Sequence, residues 1–550
     1  MGRYPFAAQA RLCIQAYVNA CGAFILMLAN KAWGFFFCFA RGRRGCKKPP
    51  NFNRKSRLKS NRKSRLKSGA FRDTLRMRFL ARHNEQNKGS LSFMRAKAVH
   101  SMTEGPLARS ILAFSFPLML SNVLQALFNM SDIAVVGRFA GAEALGSVGS
   151  TAILVTLFTG FLIGVGSGVN AVTARFLGAR QHKDVEETVH TAFLLCLIIG
   201  LVEMALGQIF ARPLLELLHT KDELIDGATL YLRIYLLGIP AAAMYNYGNG
   251  VLSAAGDTKN PLYILTIAGV VNVILNLFFV IVCRLGVAGV ALASAISLYL
   301  SAGLILLSLI RSANIYALRR SALRICQDKA RQLLALSLPA GAQNAIFAIA
   351  NLFIQASVNS FDAVIVEGTA AATNADALVY DVMAALYTAC SSFMAQNVGA
   401  GNKKRVLRSY FISLGFSFCA GALLGGGLVL FGQEFLSLFT TDADVVEAGM
   451  VRLTVMGCSY AFSAFMDCTI AASRGLGKSV VPTVIVILGS CVFRVIWVYT
   501  VFAYFHTIMS LYLLYICSWT ITATAEILYF AHVYRHKTIA PPAAAMEEIA

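Results

Sequence analysis

The segments AFSFPLMLSNVLQALFN (Ala113–Asn129) and ALSLPAGAQNAIFAIAN (Ala335–Asn351) decide the architecture, because they are two copies of one pattern. In a single frame with an offset of 222 they share identical residues at six positions. Those identities pair Ala113, Ser115, Pro117, Asn122, Ala126 and Asn129 with Ala335, Ser337, Pro339, Asn344, Ala348 and Asn351. Each copy lies in the first of a series of apolar stretches. The chain is therefore predicted to consist of two similar halves.

The apolar stretches predict helices that cross a membrane. The chain of 550 residues is 57% hydrophobic and 14% charged, with a mean hydropathy of +0.64, which excludes an ordinary soluble protein. Each stretch has about 23 to 29 residues, enough to span about 30 Å of hydrocarbon. The predicted spans are 108–136, 147–172, 188–210, 228–252, 260–283, 286–310, 333–360, 369–394, 406–431, 447–472, 481–504 and 508–534. We predict an all-α polytopic membrane protein with twelve transmembrane helices in two pseudo-symmetric six-helix lobes.

The repeat continues beyond the first helices. ARFLGARQHKDV from Ala174 parallels AQNVGAGNKKRV from Ala395 at an offset of 221. An even number of helices per repeat gives both halves the same orientation, so a pseudo-twofold axis along the membrane normal and a cavity between the halves are expected. The predicted parts are an N-lobe (102–311), a linker (312–332), a C-lobe (333–537) and a tail (538–550).

Residues 1–101 differ from the rest in charge. The net charge is +22, yet 23 of the 49 Lys and Arg residues and only two acids lie in this segment. It contains a perfect tandem octapeptide, NRKSRLKS, over Asn53–Ser68, and is predicted to be disordered. Two interpretations stay open: it binds anionic lipid headgroups, or it is not natural coding sequence and Met102 is the natural start. Val18–Phe39 is interrupted by Lys31, which disfavours a thirteenth helix.

Loop charges predict the orientation. With the N-terminus inside, the inner loops and tail carry roughly 18 basic residues and the outer loops about 4. Arg311–Arg331, between the halves, supplies six of them. We expect a multi-pass protein of the cell (inner) membrane with both termini cytoplasmic.

Several kinds of chemistry are not expected. The 13 cysteines are scattered, without a Cys-x2-Cys pair and nearby His to hold a metal. No Gly-x4-Gly-Lys-Ser/Thr phosphate loop occurs. We predict no enzymatic activity, no cofactor and no nucleic-acid partner for the membrane-embedded body.

Loop motifs resemble those of the multidrug and toxic compound extrusion (MATE) family. They are AQNVGAGNKKR (Ala395–Arg405), the turn Gly256–Lys259, SRGLGKSVVP (Ser473–Pro482) and the first-helix segment FPLMLSNVLQALFNMSDIAVVGRFAG (Phe116–Gly141). The resemblance covers residues 102–537. It implies a secondary antiporter that exports small organic compounds, cationic and lipophilic, through the lipid bilayer by alternating access. The exchanged ion would be an inward proton or sodium ion.

Asp132 is the acid in the first apolar stretch. A charge at mid-membrane costs about 2.5–3.5 kcal/mol on insertion scales, so Asp132 must face protein or water. A solvated place at the outer helix end is the alternative. The resemblance implies cation coupling by Asp132 with Asn272, Asn276 and Ser294 of the fifth and sixth helices. Asn276 stands where the family commonly has a second acid, which favours protons, although sodium at this cluster stays open.

Asn272 and Asn276 are four residues apart and share one helix face. An alternative is that this pair only packs helices together by hydrogen bonding. Ile354 occupies the position of Asp132 in the second repeat, so the C-lobe is not expected to copy the cluster.

A substrate cavity is predicted from the remaining polar residues within the apolar stretches. Asp467 aligns with Asn246 at an offset of 221, which suggests one cavity position in both halves. Arg494 is assigned to the cavity as well, with neutralisation of a nearby acid as its alternative role. The predicted cavity residues are Asn129, Asn246, Asn351, Gln355, Asp376, Asp381, Asp467 and Arg494.

Two other functions stay open at the level of sequence. The first is a lipid-linked oligosaccharide flippase of the same broad superfamily, for which an Arg-rich cavity would be expected. The second is a non-transporting membrane anchor whose basic arm binds a partner. The duplicated body with its internal acids argues against the anchor.

Overall fold

The computed structural model describes residues 102–539, and the predictions made for residues 1–101 and 540–550 lie outside the described residues. Within 102–539 the chain is helical and has no strand. Eleven helices are long and apolar enough to cross a membrane, and a bent pair makes the twelfth. We number these spans α1 to α12: Leu107–Phe139, Ala142–Gly178, His182–Leu217, Asp222–Leu236 with Ile239–Ala254, Lys259–Val282, Gly286–Ile310, Gln327–Val358, Ala363–Gly399, Lys403–Leu436, Ala443–Gly475, Val480–Phe505 and Ile508–His536.

Most helices extend beyond the apolar stretches that predicted them. α2 begins five residues earlier and ends six residues later than the predicted span 147–172. α7 begins at Gln327, so the last part of the predicted linker is helical. The physical reason is that backbone hydrogen bonding continues into the headgroup region, whereas the apolar signal stops with the hydrocarbon.

α4 is broken within the membrane-spanning region. Its parts Asp222–Leu236 and Ile239–Ala254 meet at a 45° bend. Pro240 lies in the first turn of the second part, where its missing N–H removes no helical hydrogen bond. Pro117 and Pro339, in contrast, lie inside α1 and α7.

The two lobes, α1–α6 and α7–α12, meet through α1 and α2 on one side and α7 and α8 on the other. Two matched hydrogen bonds join them. Asn122 Nδ2 donates to the backbone oxygen of Asp381 at 2.9 Å, and Asn344 Nδ2 donates to that of Gly160 at 3.0 Å. Asn122 and Asn344 are repeat partners, so these contacts obey the pseudo-twofold symmetry.

All inter-lobe hydrogen bonds of residues 102–539 lie at this level or nearer the side of the bundle where α1 begins and α12 ends. We call this the terminal side, and the opposite one the far side. For example, Ser392 Oγ donates to Asn170 Oδ1 at 2.8 Å. The lobes are therefore closed together on the terminal side.

The lobes cross closely at glycines near the ends of α2 and α8. A β-carbon on Gly178 would lie 1.9 Å from the backbone oxygen of Gln396, and one on Gly399 would lie 1.9 Å from that of Arg175. Both pairs correspond at the repeat offset of 221. Any larger side chain would push the backbones apart, so glycine is needed at both positions.

Candidate functional site

Four polar side chains form a hydrogen-bonded cluster inside the N-lobe. Asn276 Nδ2 donates to Asp132 Oδ1 at 2.5 Å, and Ser294 Oγ donates to Asp132 Oδ2 at 3.2 Å. Asn276 Nδ2 also lies 3.3 Å from Asn272 Oδ1, and Asn272 Nδ2 lies 3.4 Å from Ser294 Oγ. The structure thus brings together all four residues of the predicted coupling site.

The cluster is built by three helices. Asn272 and Asn276 project from one face of α5 because they are four residues apart, and α1 and α6 bring Asp132 and Ser294 against that face. Asn276 is fully buried, and Asn272 and Ser294 are nearly so. Valines and the ring of Tyr231 pack beside it. This apolar surrounding limits access of water to a carboxylate, which strengthens every electrostatic interaction there.

The oxygens of the cluster can bind a proton or a monovalent cation. Asp132 has a donor on each carboxylate oxygen, while Asn276 Oδ1 is buried and has no hydrogen-bond partner in the structure. A carboxylate, amide oxygens and a hydroxyl are hard ligands that suit sodium. Among residues 102–539, no group of three or more His, Cys, Asp or Glu side chains is arranged so that it could hold a metal ion.

In the C-lobe, Asp376 is held in a buried ion pair rather than left free in a cavity. Arg452 Nη2 and Nε both lie 2.8 Å from Asp376 Oδ2, and the Tyr460 hydroxyl donates to the other oxygen. The guanidinium also lies over the rings of Tyr512 and Tyr515. A carboxylate compensated in this way is already satisfied.

Arg494 is buried, yet it forms no ion pair among the described residues. Its guanidinium donates to Asn351 Oδ1 at 3.1 Å and to Ser518 Oγ at 3.4 Å. The rings of Tyr515 and Phe347 lie 4.6 and 5.4 Å from it. Neutral acceptors and aromatic faces therefore contact this positive charge directly, and Asp467 lies close enough to interact with it electrostatically.

The other predicted cavity residues are not joined into one cluster. Asn129, Asn351 and Gln355 are exposed in the halves of α1 and α7 nearer the far side, beyond the inter-lobe hydrogen bonds. Asn246 donates to the Ala242 backbone oxygen of its own helix at 3.0 Å. Asp381 and Asp467 are half-buried on α8 and α10.

Sequence reasoning missed three charged residues inside the lobes. Glu203 of α3 is 9% exposed and its Oε2 has no hydrogen-bond partner in the structure. Arg452 of α10 was not predicted to be the partner of Asp376. Arg474 near the end of α10 donates to Gln343 Oε1 at 2.9 Å. The rule that selected Asp132, an acid within an apolar stretch, would also have found Glu203.

Comparison with known proteins gives consistent matches. A family model described as MatE matches residues 117–278 and 339–500, two segments separated by the repeat offset of 222. An FAD transporter of Shewanella oneidensis is 29% identical over 367 residues, covering 66% of this chain and 80% of its own. A protein of Thermotoga maritima named "probable multidrug resistance protein NorM" is 23% identical over 418 residues, covering 73% and 87%.

Two solved structures share the fold. One, described as the outward-facing conformation of a multidrug resistance MATE family transporter of the MOP superfamily, has a TM-score of 0.74 and 20% identity and covers 80% of this chain and 98% of its own. The other is a MOP superfamily transporter from Pyrococcus furiosus with a TM-score of 0.74 and 20% identity, covering 80% and 99%. At this identity the likeness concerns the fold.

Proposed function

Because the chain belongs to the MatE family of membrane transporters, we propose that it is a secondary antiporter that exports organic compounds in exchange for inward cations. The proposed substrates are lipophilic cations, and the proposed counter-ion is a proton. The observation that carries the proposal is the N-lobe cluster in which the half-buried Asp132 is hydrogen-bonded with the buried side chains of Asn272, Asn276 and Ser294.

The cluster suits proton binding because the Asn276 amide can form a hydrogen bond with Asp132 in both its ionised and its protonated state. In the ionised state Asn276 Nδ2 donates to Asp132. If Asp132 binds a proton, rotation of the Asn276 amide would present Oδ1, now without a partner, as the acceptor of the new O–H. An aspartate at 276 would offer no N–H donor to the ionised form. Because the same oxygens could also bind sodium, sodium is the alternative counter-ion that the test can reveal.

The energetics are compatible with a proton-driven exchange. Export of one positive charge against 100 mV costs about 2.3 kcal/mol, and one entering proton offsets it. A one-for-one exchange is then electrically neutral and is driven by the pH gradient.

The proposed orientation places the terminal side in the cytoplasm, which follows from the basic loops. Because the lobes are closed on that side, the structure would correspond to the state open to the outside. Accessibility of single cysteines introduced in the linker and in a far-side loop to a membrane-impermeant thiol reagent, in a variant without the other reactive cysteines, tests this orientation.

The test uses everted membrane vesicles and a fluorescent lipophilic cation. A pH gradient and a sodium gradient are applied separately, each with the other collapsed. Export under the pH gradient alone is the expected result. Export under sodium alone would exclude the proton as the counter-ion.

Asp132→Asn should abolish coupled export while membrane expression is kept, because the amide cannot bind and release the proton. Ile354→Val, at the matching position of the other repeat, is the control and should keep export. Full activity of Asp132→Asn would remove Asp132 from the coupling mechanism.

A second candidate is an organic anion with an aromatic part. It is favoured by Arg494, which forms no ion pair among the described residues and is flanked by Tyr515, Phe347 and the exposed Asn351. A relative at 29% identity is named an FAD transporter. The same everted vesicles, with FAD supplied in the medium at the cytoplasmic face, separate the two candidates: uptake of FAD without uptake of the cation would replace the proposed substrate class.

A further inference from the structure

The turn after α10 carries a group of cationic side chains outside the coupling cluster. Gly477 has φ +79°, and a β-carbon placed on it would lie 3.2 Å from Arg175 Nη1 and 3.8 Å from Lys537 Nζ. These two nitrogens therefore lie at most 7.0 Å apart. Lys478 follows Gly477 directly and is exposed. We call Arg175, Lys478 and Lys537 the Gly477 cation group.

The group joins the two lobes on the terminal side. Arg175 is in the last turn of α2, in the N-lobe. Lys478 lies between α10 and α11, and Lys537 directly follows α12, both in the C-lobe. Closure of the lobes therefore brings like charges together next to the glycine crossing of α2 and α8.

No acid of the described chain neutralises these charges. Within residues 102–539, none of the three forms an ion pair. Arg175 donates to the side-chain oxygen of Gln332, and Lys537 donates to the backbone oxygen of Leu476; both acceptors are neutral. The Lys537 ammonium has three donors, so this single bond leaves it with further capacity.

The other charged and titratable groups next to Lys537 do not supply a negative charge. Lys403 of α9 donates to the Lys537 backbone oxygen at 3.4 Å and lies 5.1 Å from the ring of Tyr534. Partial burial, together with the charges of Arg175 and Lys478, lowers the pKa of Lys537 to about 8. The same positive charges that disfavour the protonated form of Lys537 also favour the binding of an external anion at this site.

We propose that Arg175, Lys478 and Lys537 bind a phosphate-type oxyanion, which bridges the two lobes on their closed side. A guanidinium and two ammonium groups match the several oxygens of a phosphate group. The position at the membrane interface makes a phospholipid headgroup one source and free phosphate the other. The site does not depend on which compound is exported.

Binding at this site has two consequences. The anion offsets the repulsion between Arg175 and the two lysines, so it stabilises the state closed on the terminal side. It also favours the protonated form of Lys537. Because Lys537 is charged below pH about 8 and loses its proton above it, anion binding should weaken as the pH rises through that value.

The test measures the thermal stability of the purified full-length protein in nanodiscs. Three conditions are compared at pH 7: phosphatidylcholine alone, phosphatidylcholine with phosphatidylglycerol, and phosphatidylcholine with inorganic phosphate in the buffer. The variants are Arg175→Gln and Lys537→Gln, with Arg175→Lys as the conservative variant. Lys404→Gln, an exposed basic residue on the same side, is the matched control.

The expected result is a rise in the unfolding temperature with phosphatidylglycerol or phosphate in the wild type, Lys404→Gln and Arg175→Lys. Titration of phosphate should show binding about tenfold weaker in Arg175→Gln and Lys537→Gln, and weaker binding to the wild type at pH 9 than at pH 7. A rise with phosphatidylglycerol alone assigns the lipid headgroup, and a rise with both shows that a free anion is sufficient.

Equal shifts in all variants, or no shift in the wild type, would overturn the proposal. If a glutamine variant does not fold, the pH dependence of phosphate binding to the wild type still tests it, since pH-independent binding would exclude Lys537. None of these measurements requires transport, so failure here and failure of the antiporter proposal are distinguishable.

Discussion

At the scale of single residues, the N-lobe cluster has an amide at Asn276 where a site with two neighbouring acids would have a second carboxylate. Its Nδ2 lies 2.5 Å from Asp132 Oδ1, where a second carboxylate would meet the first in direct contact. Two carboxyl groups so close cannot both ionise without a cation between them. The identity of residue 276 is therefore expected to decide which ion the cluster prefers.

Asn276→Asp should shift the transporter toward sodium. The added carboxylate supplies a second anionic ligand, which sodium can neutralise without leaving the site. We expect sodium to raise the unfolding temperature of the purified variant and a sodium gradient to drive export that the wild type shows only under a pH gradient. Asn276→Ala, which removes the amide without adding charge, is the control. Equal sodium responses in the variant and the wild type would contradict this role of residue 276.

Residue identity and spacing allowed part of the site to be predicted. The spacing of Asn272 and Asn276 fixes their common face, and the family resemblance pointed to Asp132 and Ser294. The pairing of Asp376 with Arg452 was not predicted, because the two residues are 76 positions apart on different helices. Nothing in the sequence shows which faces of α8 and α10 meet.

At the scale of helices, closure of the lobes depends on the close approach of α2 and α8, whose backbones meet without side chains between them. The crossing of α2 and α8 puts each glycine against a backbone oxygen of the other helix. Small residues at such crossings let backbones pack directly in a membrane. These contacts lie at the closed terminal side and must separate if the lobes open there.

Gly399→Ala should weaken closure on the terminal side. The new methyl group would lie 1.9 Å from the Arg175 backbone oxygen, so α2 and α8 have to move apart. We expect a longer spin-label distance between the two lobes on this side, and reduced export at normal expression. Gly415→Ala on α9 is the matched control, because its β-carbon meets nothing within 4 Å. An unchanged distance in Gly399→Ala would show that the crossing does not hold the lobes.

The presence of the helices was predicted well because each span contains the same strong signal, an apolar stretch long enough to cross the membrane. Pro240 within the fourth apolar stretch suggests a bend there, and α4 has one, but its angle of 45° was not predicted. Gly238 and Pro240 disfavour a continuous helix only weakly, and the packing that selects the bend comes from other parts of the chain. The hydrogen bonds of Asn122 and Asn344 show the same limit: the repeat identified both side chains, but their acceptors are backbone oxygens of the opposite lobe.

At the scale of the whole molecule, the two lobes share a fold and differ in the charges they enclose. Both lobes contain buried or half-buried acids that form no ion pair among the described residues, Asp132 and Glu203 in the N-lobe and Asp381, Asp467 and Glu526 in the C-lobe. Of the described arginines, only Arg452 and Arg494 are buried, and both belong to the C-lobe. The lobes therefore differ in the buried arginines of the C-lobe, which lie against aromatic rings.

Removal of residues 1–101 should leave export unchanged. Met102 is tied to the C-lobe: its backbone N–H donates to Gln396 Oε1 at 3.2 Å, and its oxygen accepts from Asn397 and Arg405. A protein that starts at Met102 keeps these contacts and the coupling cluster. Export and expression are compared with those of the full chain, and a second truncation that also removes Met102–Gly105 should be less stable. Loss of export from the first truncation alone would assign the basic segment a role in transport.

The glycine crossing also limits how the two halves of a duplicated chain can diverge. The hydrogen bonds of Asp132 stay within its own half, so one half could acquire an acid while the other kept an apolar residue, Ile354. Gly178 and Gly399 each face the backbone of the opposite half, and a change in either one blocks the same movement. Evolution can therefore specialise the lobe interiors independently, while the contact at the axis has to be inherited as a pair.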